Sequence, residues 1–222
     1  MKTLLSLYDH SGQWSAPFAR AGWNVVQWDI KHVADHFTTH CDIFDACAEY
    51  IYQHIFDNFG TVDGIIAAQP CTDFASSGAR WWAGKDADGT TDVSVRMAYI
   101  TLAIIELCKP NFWTLENPIG RIHKLVKELG KPAMYFNPCD FGDPYTKKTA
   151  LYGTFNTNLV KTPVEPTEGS KMWRLYGGKS ERTKELRSVT PEGFANAFCD
   201  ANKDWSMWPE DEELFEVIFP GQ

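Results

Sequence analysis

Residues 3 to 29 read TLLSLYDHSGQWSAPFARAGWNVVQWD, and the pattern changes three times along them. Positions 3–8 form a short apolar run, and 9–15 form a polar turn. Positions 17–21 read as a helix, with Pro17 in its first turn and Gly22 just past its end. Positions 23–28 are a second apolar run, rich in Val and Trp, that closes on the acidic Asp29. Further along, 62–68 is a third apolar run ended by Gln69 and Pro70, and 93–108 has apolar residues at helical spacing up to Pro110. Positions 112–115 then read as another strand. Strands alternating with helices imply an α/β fold with a mostly parallel sheet and helices on both faces.

Composition sets the outer bounds. The 222 residues are 44% hydrophobic and 23% charged, which suits one globular core and excludes disordered and collagen-like chains. The run at the start is too brief for a signal peptide, and no later stretch approaches the ~18 apolar residues of a membrane span. A cytoplasmic protein is expected. The six cysteines form no CxxC pair, so a disulfide scaffold is not expected. His32, His36 and His40 beside Cys41 have helical spacing but lack a supporting cysteine pair, and no metal is expected. The net charge of −8 hides a pattern: residues 1–120 carry 7 basic and 14 acidic residues, 121–187 carry 13 and 7, and 188–222 carry 1 and 8. Attraction to phosphate is local, so the middle segment can bind a polyanion although the total is acidic.

In open sheets of this type ligands bind beyond the C-terminal strand ends. The residues there are 9–15, Asp29, 69–73 and 116–118. Cys71 follows Pro70 directly and is a candidate nucleophile, its thiol expected to be activated by Arg80, Lys147 or Lys148. Glu116 ends a neighbouring strand and can bind or protonate a polar heterocycle. The turn of Asp9, His10, Ser11, Gly12, Gln13 and Trp14 lacks a dinucleotide fingerprint but can hold an adenosine-like group, with Asp29 placed for ribose hydroxyls.

These pieces, in this order, resemble the cytosine-5 DNA methyltransferase family. Val62-Asp63-Gly64-Ile65-Ile66 followed by Gln69-Pro70-Cys71-Thr72-Asp73-Phe74-Ala75 resembles its nucleophile strand and loop, and Leu115-Glu116-Asn117 resembles its Glu-Asn-Val motif. Phe141-Gly142-Asp143-Pro144 with Lys147 resembles a Tyr-Gly-x-Pro-Gln-x-Arg stretch, lysine replacing the arginine. Arg187-Ser188-Val189-Thr190-Pro191-Glu192 resembles a later Arg-x-Leu-Thr-x-x-Glu stretch. The resemblance implies a Rossmann-like S-adenosylmethionine-dependent methyltransferase fold. It implies Cys71, Glu116 and Lys147 as catalytic residues. S-adenosyl-L-methionine would be bound by 9–14, Asp29, Ile30, Asp42, Ile43, Gln69 and Pro70.

DNA is the implied partner, its target cytosine turned out of the helix. The glycine-punctuated segment after Cys71 reads as a closing loop, with Arg80, Trp81 and Trp82 contacting nucleic acid and one of the tryptophans stacking on or beside the base. Lys148, Lys179, Arg182, Lys184 and Arg187 are expected on phosphates. The expected organisation is a catalytic core over 1–155, a reduced recognition region over 156–186, and a returning helix with an acidic tail over 187–222. So short a recognition region implies low or short sequence specificity, a phage-like origin and action as monomer or homodimer. Two other classes remain open. One is a catalytically idle relative that binds DNA or opposes restriction; the other is the same chemistry on RNA, a free nucleotide or with a modified methyl donor.

Overall fold

The computed structural model describes residues 1–29, 31, 38–39, 48–170 and 181–207, with the backbone alone for 38–39, 181–182 and 184–185. The chain forms β1 (Thr3–Leu7), α1 (Ala16–Arg20), β2 (Asn24–Trp28), β3 (Thr38–Thr39), α2 (Ala48–Phe59) and β4 (Gly64–Ala67). There follow α3 (Trp82–Ala87), α4 (Thr90–Cys108), β5 (Phe112–Pro118), α5 (Ile122–Leu125), β6 (Met134–Phe136), β7 (Thr149–Thr154), α6 (Glu181–Ser188) and α7 (Glu192–Asn202).

Among the described residues one sheet runs in the order β3-β2-β1-β4-β5-β7-β6. The pairs from β3 to β5 are parallel, and β7 lies antiparallel to both β5 and β6. Strand order reverses between β1 and β4, the switch point beside which sheets of this type bind their ligands. The apolar runs become buried strands because period-two side chains feed two cores. Leu5, Leu7, Ile65, Ala67 and Leu115 pack under α2 and α4, whereas Leu4, Ile66 and Phe112 pack under α1 and α7. Gly64 lets the two central strands close up, since a Cβ there would lie 2.4 Å from the Phe112 ring.

Three readings are refined. The helix expected over 93–108 begins one turn earlier, at Thr90, after the left-handed Gly89, and stops at left-handed Lys109 before Pro110. The sheet is mixed at its β7 edge. The segment after Cys71, expected as a closing loop, carries a 3-10 turn over Ser76–Trp81 running into α3. Gly84, one of the glycines that punctuate this segment, lies in α3 with open space where a Cβ would be.

Candidate active site

The turn after β1 is built by a carboxylate. Asp9 is 3% exposed, and its Oδ2 accepts from Ser6 Oγ at 3.0 Å, Ser15 Oγ at 2.9 Å and the Ser15 N–H at 3.1 Å. Its other oxygen takes Ser11 Oγ at 3.4 Å. Asp9 thus shapes the turn from inside it. Gly12 has φ +65°, the left-handed backbone that favours glycine, and where its Cβ would be lies the movable amide end of Gln27. His10 and Ser11 are exposed and Gln13 is half-buried. Asp29 ends β2, 9% exposed, and accepts the Lys31 N–H at 2.8 Å. Ile30, Asp42, Ile43, Lys179 and the His32 to Cys41 cluster lie outside the described residues.

Trp14 corrects the sequence reading. Its ring is fully buried among Phe18, Phe194 and Phe198, with centroids 5.8 Å from Phe194 and 5.7 Å from Phe198. It is core beneath the turn, not a ligand-facing side chain. The i,i+4 spacing of Trp14 and Phe18 was the available signal, because residues so spaced share one helix face.

Cys71 begins the turn after β4. Its carbonyl accepts the N–H groups of Phe74 and Ala75 at 3.0 and 2.9 Å. β4 and β5 are tied at their exits by Asn117, whose Nδ2 donates to the carbonyl of buried Gln69 at 3.1 Å, while Pro70 is exposed. Gly120 lets the chain beyond β5 touch the Cys71 turn: it bridges to Ala75, and a Cβ there would fall 1.9 Å from the Phe74 carbonyl oxygen.

Three chemical groups converge at these exits. Lys147, two residues before β7, has its Nζ 3.8 Å from Glu116 Oε1 and donates to the Arg187 carbonyl at 3.1 Å. The side chains of Lys147 and Glu116 are 9% and 15% exposed, so their attraction is weakly screened. Both act on the half-buried Cys71 thiol. Burial is the largest effect and pushes the thiol up, the Lys147 ammonium opposes it, and the Glu116 carboxylate reinforces it. The cations expected to activate Cys71 therefore do not prevail in the free protein, where the group is held as a thiol. Alkylation of Cys71 by iodoacetamide is accordingly expected to be slow at neutral pH and to climb only above the ordinary cysteine range of about 8.5. Mass spectrometry of the Cys71 peptide across a pH series measures this, and rapid modification at neutral pH contradicts it.

Beside this trio lies a cleft of about 290 Å³ lined by Ala75, Ser77, Pro118, Asn137, Lys147 and Lys148, among others. Lys148 is exposed, with its ammonium 5.6 Å over the Tyr135 ring. Trp81 is 56% exposed and carries Arg80 over its ring at 5.1 Å. Trp82 is half-buried, with the Arg121 guanidinium 4.5 Å over one face of its ring. Arg187 is half-buried at the end of α6, which also carries Arg182 and Lys184. Among the described residues no three His, Cys, Asp or Glu side chains group closely enough to hold a metal, and no helix is long and apolar enough to cross a membrane.

Sequence reasoning missed two features. Tyr8 leaves β1 with φ +61°, a left-handed backbone rare for a bulky residue, and its hydroxyl meets Thr101 Oγ1 at 3.0 Å. Arg121 is the other, because its partners lie 30 to 48 positions away.

No family model matches the chain, and no curated protein sequence matches it. Solved structures do. One is named as a DNA modification methyltransferase encoded within an E. coli prophage, 17% identical, covering 79% of this chain and 55% of that one, with a TM-score of 0.52. Spodoptera frugiperda DNMT2, in a mutant form, is 14% identical over 74% and 53%, with a TM-score of 0.42. S. pombe Dnmt2 methyltransferase is 15% identical over 69% and 48%, with a TM-score of 0.39. The chain spans about half the length of each. The prophage likeness, together with the strand order, shows a shared Rossmann-like α/β fold.

Proposed function

We propose that this chain is an S-adenosyl-L-methionine-dependent methyltransferase acting on C5 of cytosine in DNA through a covalent adduct with Cys71. The observation that carries the reading is the convergence of Cys71, Glu116 and Lys147 from three separate segments at one end of the sheet. Glu116 hydrogen-bonds the N3 and amino edge of the base and favours attack at C6 by drawing electron density toward N3. Cys71 gives its proton to solvent and its thiolate forms the S–C6 bond while N3 takes a proton from the Glu116 carboxyl, which makes C5 nucleophilic. Lys147 faces both groups and offsets the negative charge that builds up between them. Once C5 carries the methyl group, its proton passes to water, the thiolate leaves C6 and N3 returns its proton to Glu116, which restores the aromatic ring of the methylated base.

The residues present fit the methyl donor. Gly12 bends the turn without a side chain, exposed His10 and Ser11 offer polar groups above β1, and Asp29 ends β2 with a carboxylate suited to ribose hydroxyls. Those residues, with half-buried Gln13 and the Gln69–Pro70 exit of β4, would hold it. When bound, it supplies an electrophilic methyl group.

DNA is favoured over a free nucleotide because Arg80 and Trp81 stand exposed on the segment that follows the nucleophile, and Lys148 rims the cleft. These are phosphate and stacking contacts, which position a strand without reading its sequence. Activity as part of a longer assembly, on the model of the longer solved structures, fits equally well.

Incubation with labelled S-adenosyl-L-methionine and a panel of DNA, RNA and dCMP tests the reading. Transfer to DNA is expected, and Glu116→Gln should lower kcat by about 10²–10⁴-fold, the usual worth of a positioned acid or base. Label on RNA or dCMP alone would move the substrate. Donor binding with no label on any acceptor would favour an idle binding protein.

A further inference from the structure

Four segments meet at Arg121, which is 8% exposed. Its backbone N–H donates to the Phe74 carbonyl at 2.9 Å, and its Nε donates to the Asp73 carbonyl at 3.0 Å. Nη1 and Nη2 fork onto the Asp86 carboxylate of α3 at 2.8 and 2.7 Å. Nη2 also reaches Thr91 Oγ1 at the start of α4, at 3.0 Å, and Thr91 in turn donates to Asp86 Oδ1 at 2.6 Å. The flat face of the guanidinium covers Trp82. A second tie runs alongside. The Asp73 carboxylate pairs with Lys85 of α3 and accepts from Ser94 of α4, and Lys85 also donates to the Thr72 carbonyl at 3.1 Å.

The consequence is specific to the nucleophile's turn. The carbonyls of the three residues following Cys71 are each gripped from outside it, Thr72 by Lys85 and Asp73 and Phe74 by Arg121. β5 does not need this grip to pair, since its ladder ends at Pro118 opposite Thr149. A buried cation is costly unless its donors are satisfied, and a planar fork with a stacking face is what lysine cannot supply. The Arg121 hydrogen bond, followed by that of Thr91, holds Asp86 down at about 2, so the tie stays charged at any working pH.

We infer that Arg121 is a positioning residue that joins the Cys71 turn to the segment bearing Arg80 and Trp81, so that a strand docking on that segment sets the orientation of the thiol. Its catalytic meaning rests on the reading of Cys71 as a nucleophile; the mechanical link does not. The same link explains why a segment rich in glycine is held as 3-10 turn and helix instead of waving free. Docking on Trp81 is then felt through α3, through the Asp86 fork, and at the carbonyls of residues 73 and 74.

Cys71 alkylation reads the link without any methyl transfer. The charged groups that face the thiol are Lys147 from the entry to β7, Glu116 from β5 and Asp73 from its own turn. Arg121→Lys and Asp86→Asn alter none of them, so a changed pH profile reports a displaced turn. In Arg121→Lys, the thiol is expected to gain water and react about fivefold faster near pH 8, with a lower midpoint, as coupling within one hydrogen-bonded network allows. Asp86→Asn touches only the far end of the fork and should act in the same direction by about twofold or more. It decides alone if Arg121→Lys does not fold. Profiles that superimpose on the parent's in folded Asp86→Asn protein, even with a lowered melting point, overturn the link. Where methyl transfer is present, Arg121→Lys should lower kcat with little change in KM for DNA, and an effect on KM alone overturns the positioning role. If the parent transfers no methyl group but the alkylation response appears, the methyltransferase reading fails and the link stands.

Discussion

Replacing Cys71 with alanine is expected to remove methyl transfer altogether, a loss of at least about 10⁴-fold in kcat, because a covalent route without its nucleophile leaves only binding and electrostatics. The fold should not notice. Cys71 is half-buried, its carbonyl rather than its sulfur holds the turn, and the neighbouring carbonyls are secured by Lys85 and Arg121. Melting of the variant is therefore expected within a few degrees of the parent, in line with a change of ~0.5 kcal/mol or less. Donor binding should persist, since the turn after β1 is untouched. DNA carrying 5-fluorocytosine gives an independent measurement, because fluorine at C5 blocks the final proton loss. A denaturation-stable protein–DNA band is expected in the parent and not in Cys71→Ala. Residual transfer within tenfold of the parent would show that sulfur is not the attacking atom.

Trp14→Ala is expected to cost about 3–5 kcal/mol, the usual range for emptying a buried aromatic site. Trp14 is fully buried where α1 meets α7, with its ring against Phe194 and Phe198. Phe198 in turn touches Phe18, Phe112 and Phe155, at centroid distances of 6.4, 6.1 and 5.4 Å. A void here loosens the seam between the first turn of the chain and its returning helix. Against a total stability of ~5–15 kcal/mol, the loss is a large fraction. Urea unfolding measures it, and Trp14→Phe, which keeps a ring in place, should recover most of it. If Trp14→Ala leaves the unfolding midpoint where it was and weakens donor binding instead, the ring belongs to the ligand site and the core assignment is wrong.

The strand ends were legible because each is an apolar run closed by a polar or imino residue, and the parallel topology turns such ends into one edge. Cys71, Glu116 and Asp29 could be located in that way before any coordinates. Trp14 was misread because it sits in a turn flanked by polar residues, and only its spacing to Phe18 marks it as interior. The pair Trp81 and Trp82 shows a different limit. Adjacent tryptophans look alike in sequence, yet one is capped by a cation from residue 121 while its neighbour is more than half exposed. No local pattern separates them. Arg121 itself reads as one more charge in a basic stretch, since its partners Asp73, Asp86 and Thr91 lie far back in the chain and nothing periodic connects them. The left-handed Tyr8 carries no glycine to announce it. Its backbone costs of order 1–3 kcal/mol, offset by the tie of its hydroxyl to α4.

The reversed direction of β7 has a further effect on what the molecule tolerates. The Cys71 thiol comes downstream of its strand and the Glu116 carboxylate from the last three residues of β5, whereas the ammonium of residue 147 comes upstream of a strand. Had that strand run with its neighbours, this cation would sit at the opposite pole of the sheet. The register of β7 is pinned at Gly153, where a Cβ would fall 2.3 Å from the Trp113 carbonyl oxygen, and a displacement of Lys147 by two positions would carry its ammonium ~7 Å from the carboxylate, at ~3.4 Å per residue. A two-residue insertion between Lys147 and β7 is therefore expected to disarm the protein silently, leaving the sheet in register with its counter-charge out of reach.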